Sequence, residues 1–451
     1  MDVPFINRLP PELLVVIVTF IADQYMTFRL ATVCRHWHDV LTGVPALWTS
    51  IDCRSKSRTS ILLQRSKSSP IDVVIDHADY EPEAASLVSS HTHRVRSINV
   101  TLYHCTLEDF YSLLSGPAPI LRAMQVQGRG YIGLSLHSSS FQGRFPALRS
   151  LWVEGYPFNL ARSVPMMTNG LTKLVLCNQG SHHLRDLLDY LDHCKNLEYL
   201  KIELRGLGGI VPASCIVSLP NLRVLELVRS MPNVLYHLSF PPSTDLIIQL
   251  KDTVMVYDRA DRPRFLDSRT EFGIPHIFDS RTIKSIKITF SEFICEIELS
   301  GHHFALTAPV MNVNIHSPGP SSYYSDWLDS LQSLPIKATE FCRFAQPSPH
   351  PSAEIPSQQS YTRLLTQMPA LEQITSDIVV APSLIPALEP VDGDLLCPKL
   401  RDLIITRWTD READIWDSLL ALSKRRKDHG CPLVCSVGSD DPSDWQRRSL
   451  A

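Results

Sequence analysis

The chain has 451 residues, enough for two or three average domains or for one small module followed by a long repeat array. A hydrophobic content of 44% and a charged content of 20% exclude a disordered chain, and a net charge of -4 gives no reason to expect nucleic acid or an acidic membrane as the main partner. Eleven scattered cysteines without a C-x-x-C pair suggest neither a disulfide framework nor a zinc knuckle, so a reducing compartment, cytoplasmic or nuclear, is expected.

The first predicted element opens at Leu9-Pro10-Pro11-Glu12-Leu13-Leu14. Proline is tolerated in a helix's first turn, and an acid there meets the positive end of the dipole, so a helix is expected from about Pro11 to Ala22. Leu13 to Ile21 is apolar except for Thr19, and such a helix must be covered on two faces, of which its own module can supply one. The β-branched run Val15 to Thr19 makes a buried strand the competing reading. A secretory leader is not expected, because Asp2 and Glu12 spoil the positive start and Ala22-Asp23 is no cleavage site. No run approaches the ~20 apolar residues that cross a bilayer, so no membrane partner is expected. Thr27 is an expected N-cap, and Leu30, Cys34, Trp37 and Leu41 recur on one face of a second helical segment. Pro45-Ala46-Leu47-Trp48 closes the unit ahead of Ile51.

LPPELL, then VCRHWHDV, then PALW and an isoleucine, in that order, resembles the F-box, a helical module that docks on the Skp-type adaptor of cullin-RING ubiquitin ligases. The resemblance covers Phe5 to about Cys53, and it implies that Leu9, Pro10, Leu13, Ile17, Val33, Cys34 and Trp37 touch the adaptor. The competing reading is that these residues are the inner core of a small helical cap. The link between the first two helices, Asp23 to Met26, is short for the family.

Ser57 to Arg65 then reads as a helix, and Ile71, Val73 and Ile75 alternate as a strand. The cations Arg54, Lys56, Arg58, Arg65 and Lys67 have no aromatic interleaved among them, so a solvated helix face is expected there rather than a phosphate site. From Val95 a phrase of three apolar residues, spaced first, fourth and sixth, repeats at Val95-Ile98-Val100, Leu121-Met124-Val126, Leu148-Leu151-Val153, Leu171-Leu174-Leu176, Leu197-Leu200-Ile202 and Leu222-Leu225-Leu227. Its steps are 26, 27, 23, 26 and 25 residues. Pro-x-Leu enters the phrase at Pro119, Pro146 and Pro220, and a proline there stops a helix and feeds an extended segment. Leu184 to His193 is an expected helix between strands.

This pattern resembles the leucine-rich repeat family, loosely, since the asparagine or cysteine of regular members is replaced by Tyr156, Gln179, Arg205 and Ser230. The implied fold class is α/β: a short helical F-box over residues 1–53, then an irregular leucine-rich-repeat-like solenoid with parallel strands over 54–438, and a polar tail over 439–451. Within the solenoid, 253–282 reads as a charged insertion and 343–360 as a Pro/Ser loop. Strand phrases resume at Ile283-Ile286-Ile288, Val310-Val313-Ile315, Leu371 with Ile374, and Leu400-Leu403-Ile405, while Phe293 to Leu299 looks like a hairpin strand. A final helix is expected after a capping box of Thr409 and Glu412, ending near Gly430, with Lys424 to Lys427 complementing its dipole, followed by a strand over Val434 to Val437.

No catalytic constellation emerges. Gly128 to Gly133 matches G-x-G-x-x-G but is followed by Gly143, Pro146 and a serine run where a dinucleotide site needs a helix. His182-His183 and His302-His303 are adjacent pairs that point to different sides, without companion ligands, so neither metal nor cofactor is expected. The expectation is a non-enzymatic adaptor that holds an unidentified protein client near a cullin-RING ligase. Alternatives are an F-box protein in a complex without ubiquitin transfer, and an enzyme with its site in 253–306. Because side chains alternate faces along a strand, the client is expected on Glu154, Tyr156, Lys201, Glu203, Arg205, Glu226 and Arg229, facing away from the core.

Overall fold

The computed structural model describes residues 9–21, 24–76, 81–102, 116–128, 145–155, 170–179, 182–204, 207–208, 211–212, 214–228, 232–249, 283–290, 294–301, 304–311, 336–345, 356–390, 395–407 and 413–438. The chain divides into two compact units, one of Met1–Val211 with Val217–Leu222, the other of Pro212–Ile216 with Arg223–Ala451. The boundary expected at residue 53 falls inside the first unit.

The first unit opens with α1 (Pro11–Ile21), α2 (Gln24–Leu30) and α3 (Arg35–Gly43). Helix wins over strand in α1 because its two buried residues, Leu14 and Val18, are four apart, whereas a strand would bury every second residue. Thr27 is not an N-cap but a buried residue inside α2. The four-residue gap from Leu30 to Cys34 spans a break rather than a turn of helix, and Cys34 stands at the N-cap of α3 in an extended conformation. A 3-10 turn, Pro45–Trp48, seats Trp48 in the core, where its indole N–H donates to Leu41 O at 2.8 Å and its ring meets Phe28 edge-on at 5.0 Å.

The next strand, β1 (Ser50–Asp52), pairs in parallel with β2 (Ile71–Asp76). Then follow β3 (Val95–Leu102), β4 (Ala123–Gly128), β5 (Ser150–Glu154), β6 (Lys173–Gln179) and β7 (Tyr199–Leu204), each parallel to the one before it. The second and third residues of the five repeated phrases from Val95 to Ile202 lie on β3 to β7, while Leu121, Leu148, Leu171 and Leu197 precede their strands by two residues. Their register aligns one core row, Ile51, Val73, Ile98, Met124, Leu151, Leu174 and Leu200, and a second, Ile75, Val100, Val126, Val153, Leu176 and Ile202, all buried. Period-two burial on every strand is what aligns these rows.

Helices α4 (Lys56–Arg65) and α5 (Pro82–Ser89) pack on one another, and α4 also packs on β1. The C-terminal turn of α4 is closed by the buried Arg94, which donates to Leu63 O at 3.1 Å and to Ser66 Oγ at 3.0 Å. Helix α6 (Leu184–Asp192) buries Leu184, Leu187, Leu188 and Leu191, the face read from the sequence.

In the second unit, β8 (Val224–Val228) and β9 (Asp245–Gln249) are parallel, and the last phrase, Leu222-Leu225-Leu227, leads into β8. Strands β10 (Ile283–Phe290), β11 (Ile294–Gly301) and β12 (Phe304–Met311) form an antiparallel meander, with β12 parallel to β9. Val310 therefore belongs to the meander; Val313 and Ile315 lie outside the described residues. Parallel order resumes from β10 through β13 (Phe341–Ala345), β14 (Gln373–Asp377), β15 (Asp402–Thr406) and β16 (Val434–Gly438).

The Pro/Ser loop is shorter than expected: Arg343 to Ala345 finish β13, and Gln358 to Ser360 begin α7 (Gln358–Thr366), where the Ser357 hydroxyl accepts from the Ser360 N–H at 3.3 Å. Helix α8 (Ala381–Ala387) follows, and the expected final helix is α9 (Ala413–Asp428), its Thr409 and Glu412 lying outside the described residues. Arg426 does not join the exposed Lys424, Arg425 and Lys427 at the dipole. It is buried, donating to Leu396 O at 3.0 Å and Cys397 O at 2.8 Å.

Candidate functional site

Burying Leu14 and Val18 turns the rest of the apolar α1 outward. Leu13 is 50% exposed and Phe20 85%, with Val16 and Ile17 also open; Tyr25 and Met26 on α2 and Val33 after it, 62% exposed, add to the apolar surface. A shallow groove lined by Pro11, Glu12, Val15, Val40, Gly43 and Val44 lies between α1 and α3. Scattered exposed apolar side chains are ordinary, but seven within a stretch of 21 residues form the kind of surface that marks an interaction site.

Of the seven residues expected to touch an adaptor, Pro10, Leu13, Ile17 and Val33 are exposed, and Leu9 and Cys34 are half-buried. Trp37 is buried and so belongs to the core reading rather than to this surface. Val16, Phe20, Tyr25 and Met26 were not singled out from the sequence. Their signal was present in the all-round apolar character of α1, which exceeds what one small module can cover.

Of the five cations expected on a solvated face, Arg54, Lys56 and Lys67 are exposed as expected, but Arg58 and Arg65 are half-buried against aromatic rings. The Arg65 guanidinium lies 4.3 Å from the Trp48 ring centre and 5.5 Å from that of Phe28, and Arg58 lies 5.3 Å from Phe28. Burial pushes the Arg65 guanidinium below its ordinary pKa. The aromatics absent from the cationic run are supplied by the preceding helical module, a tertiary match that no local window contains.

The expected client row is less open than alternation alone implies. Glu154, Lys201, Glu203 and Glu226 are half-buried, and Glu226 belongs to the second unit; Tyr156, Arg205 and Arg229 lie outside the described residues. Glu154, Cys177 and Glu203 stand side by side across β5, β6 and β7. Glu154 accepts from Gln127 Nε2 at 3.1 Å. On β6 the same face is closed, since Val175 and Cys177 are buried. Burial, with the negative charges of Glu203 and Glu154 added against Lys201, pushes the Cys177 thiol up to about 12.

The thiols of Cys53, Cys194, Cys397 and Cys435 are likewise raised to about 12, chiefly by burial, so none of these five is a thiolate nucleophile at neutral pH. Among the described residues no group of three His, Cys, Asp or Glu is placed to hold a metal ion, and no helix is long and apolar enough to cross a membrane.

The N-terminal helices and their exposed apolar surface thus have the form of a protein-interaction module set on a mostly parallel α/β region. Residues 6–54 match the F-box-like family model. Comparison with curated proteins finds no match. F-box domains typically bind Skp-type adaptors in cullin-RING ligases, and as protein-interaction modules they are consistent with a non-catalytic role.

Proposed function

We propose that the chain is a substrate-recognition adaptor of a cullin-RING ubiquitin ligase. The F-box-like domain docks on the Skp-type adaptor, and the α/β region, read as a degenerate leucine-rich-repeat solenoid, holds a protein client. The carrying observation is the apolar surface of Leu13, Val16, Ile17, Phe20, Tyr25, Met26 and Val33 on the F-box-like match. Side chains already exposed in the free chain can be removed without opening its core, so docking and folding are separable.

Truncating Leu13, Ile17 and Val33 together to alanine is expected to leave the melting temperature within a few degrees of wild type. Anchors at an interface centre are worth about 2 kcal/mol or more each, roughly thirtyfold in affinity, so titration of the adaptor should show near-complete loss of binding. Unchanged affinity would remove the docking assignment. Isolation of the tagged chain from its native cell should bring down adaptor, cullin and a stoichiometric client. The client gains proximity to the charged enzyme, which acts as a raised effective concentration.

A further inference from the structure

The entry edge of the first unit's sheet carries a charge pattern that neither the F-box-like domain nor the expected client row uses. The backbone N–H of Arg122 donates to Arg96 O, that of Arg149 to Arg122 O, and that of Thr172 to Arg149 O, each at 2.8 Å. Arg96, Arg122 and Arg149 therefore occupy the same place on three adjacent strands, at or just before β3, β4 and β5. Thr172 holds that place on the next strand, and Lys173, the first residue of β6, follows it and pairs with Ser150. Neighbouring strands are about 4.8 Å apart, so the three residues from Arg122 to Lys173 span roughly 10 Å.

All four are exposed, but they are not equivalent. Arg96 is spent on Asp72, with Nε to Oδ1 at 3.1 Å and a second contact to Oδ2 at 2.5 Å. Arg149 donates to the adjacent Leu148 O at 3.2 Å, its guanidinium lying over Gly170, where an added Cβ would be 1.9 Å from it. The Lys173 ammonium stands 4.9 Å from the Tyr199 ring centre. Among the described residues none of Arg122, Arg149 and Lys173 has an ion pair. Arg122 and Arg149 in register, with Lys173 one strand further on and one residue later, have no carboxylate partner among the described residues, repel one another and lack the partner that Arg96 has.

The composition points the same way. Residues 91–175 hold eight arginines and lysines against three acids, in a chain whose totals are 43 and 47. The column ends beyond Thr172 at Glu198, whose N–H donates to Thr172 O, so the basic stretch has a defined limit.

We propose that Arg122, Arg149 and Lys173 form a docking strip for an extended, Asp/Glu-rich segment of a protein client, lying across the strands at the edge of the sheet. In an extended segment side chains on one face recur about every 6.7 Å, so acids at alternate positions place two or three carboxylates along the strip. Charge complementarity selects the occupant, and arginine offers carboxylates a two-pronged contact. This inference rests on the client-binding reading of the α/β region.

Fluorescence anisotropy on the full chain tests it, using fluorescein-labelled decaglutamate, decaglutamine and a single-stranded thymidylate decamer as probes. Decaglutamate should bind with an affinity that falls as salt rises, and decaglutamine should not bind. The double variant R122E/R149E should lose at least tenfold in decaglutamate affinity with an unchanged melting temperature. If that variant fails to fold, R122E alone decides, since the Arg122 side chain is exposed and makes no hydrogen bond or ion pair among the described residues. Wild-type affinity in the folded variant, or tighter binding of the thymidylate decamer than of decaglutamate, overturns the strip. Adaptor titration of the same samples keeps the two readings apart: loss of adaptor binding in the wild-type chain sinks the ligase assignment, and failure of charge reversal sinks the strip.

Discussion

The contact between Arg65 and Trp48 shows how a single side chain can join two stretches that a sequence reading keeps apart. Cation–π contacts of this kind are worth about 0.5–1 kcal/mol when exposed and about 2 when desolvated. Arg65 is half-buried over a fully buried ring, so Arg65→Ala should cost about 1 kcal/mol in a urea titration while adaptor affinity stays at the wild-type value. An unchanged midpoint would show the stacking to be energetically idle.

Asp72 gives the residue scale a pH dependence. Burial alone would raise its pKa, but hydrogen bonds from Arg96 and Ser97 and the charge of Arg96 outweigh it, and the carboxyl sits below its ordinary value. Because the folded value is the lower one, the stabilisation is fully present above the unfolded pKa of about 3.9 and is lost as pH falls through the folded value. Asp72→Asn should therefore flatten part of the acid-side decline in stability, measured as urea midpoints from about pH 5 downward. A variant that tracks wild type across that range would contradict the ion-pair account.

At the scale of elements, the strands were the legible part. Leu148-Leu151-Val153 and its neighbours predicted β3 to β7 because burial with period two is written in consecutive residues. The meander was legible in its middle strand, where Gly301 ends an alternating run, but not in Val310, whose antiparallel partner Cys295 is set by pairing rather than by local pattern. The break between α2 and α3 was missed because Leu30 and Cys34 keep helical spacing across it. Arg426 was misread because a cation in a helix's last turn looks the same in sequence whether it faces water or two carbonyls. The candidate site was half legible: Leu13, Ile17 and Val33 are open, whereas Trp37 is core, and burial is not a property of spacing alone.

The join after β5 carries its own prediction. Gly155 has φ of +80° and donates to Cys177 O at 3.0 Å, and a Cβ there would come within 1.9 Å of Gly128 O. Both the left-handed conformation and the backbone collision exclude a side chain, so Gly155→Ala should destabilise the first unit by about 2 kcal/mol or more. Thermal melting of the variant at or above the wild-type temperature would show that the strand exit rearranges freely.

For the first unit taken whole, Trp48 is the test of continuity. It is fully buried, bonded to Leu41 and stacked beneath Arg65, so Trp48→Ala should cost about 3–5 kcal/mol. If the helices and the sheet are one cooperative body, helical and strand signals should fall together in a single transition. Two separated transitions would show that the N-terminal helices fold on their own.

That continuity has a mechanical consequence. The F-box-like match ends at residue 54, and β1, Ser50 to Asp52, is already hydrogen-bonded to β2. No tether intervenes, where a flexible spacer of about twenty residues would let two bodies wander through separations of roughly 25 Å. The angle between the apolar helices and the strand edge that bears Arg122 and Arg149 is therefore inherited by any complex built on them. If the proposed ligase role holds, such an arm would aim its load instead of trailing it, and which lysines of a client come within reach of a ubiquitin-charged enzyme would be decided by direction, not by diffusion on a leash.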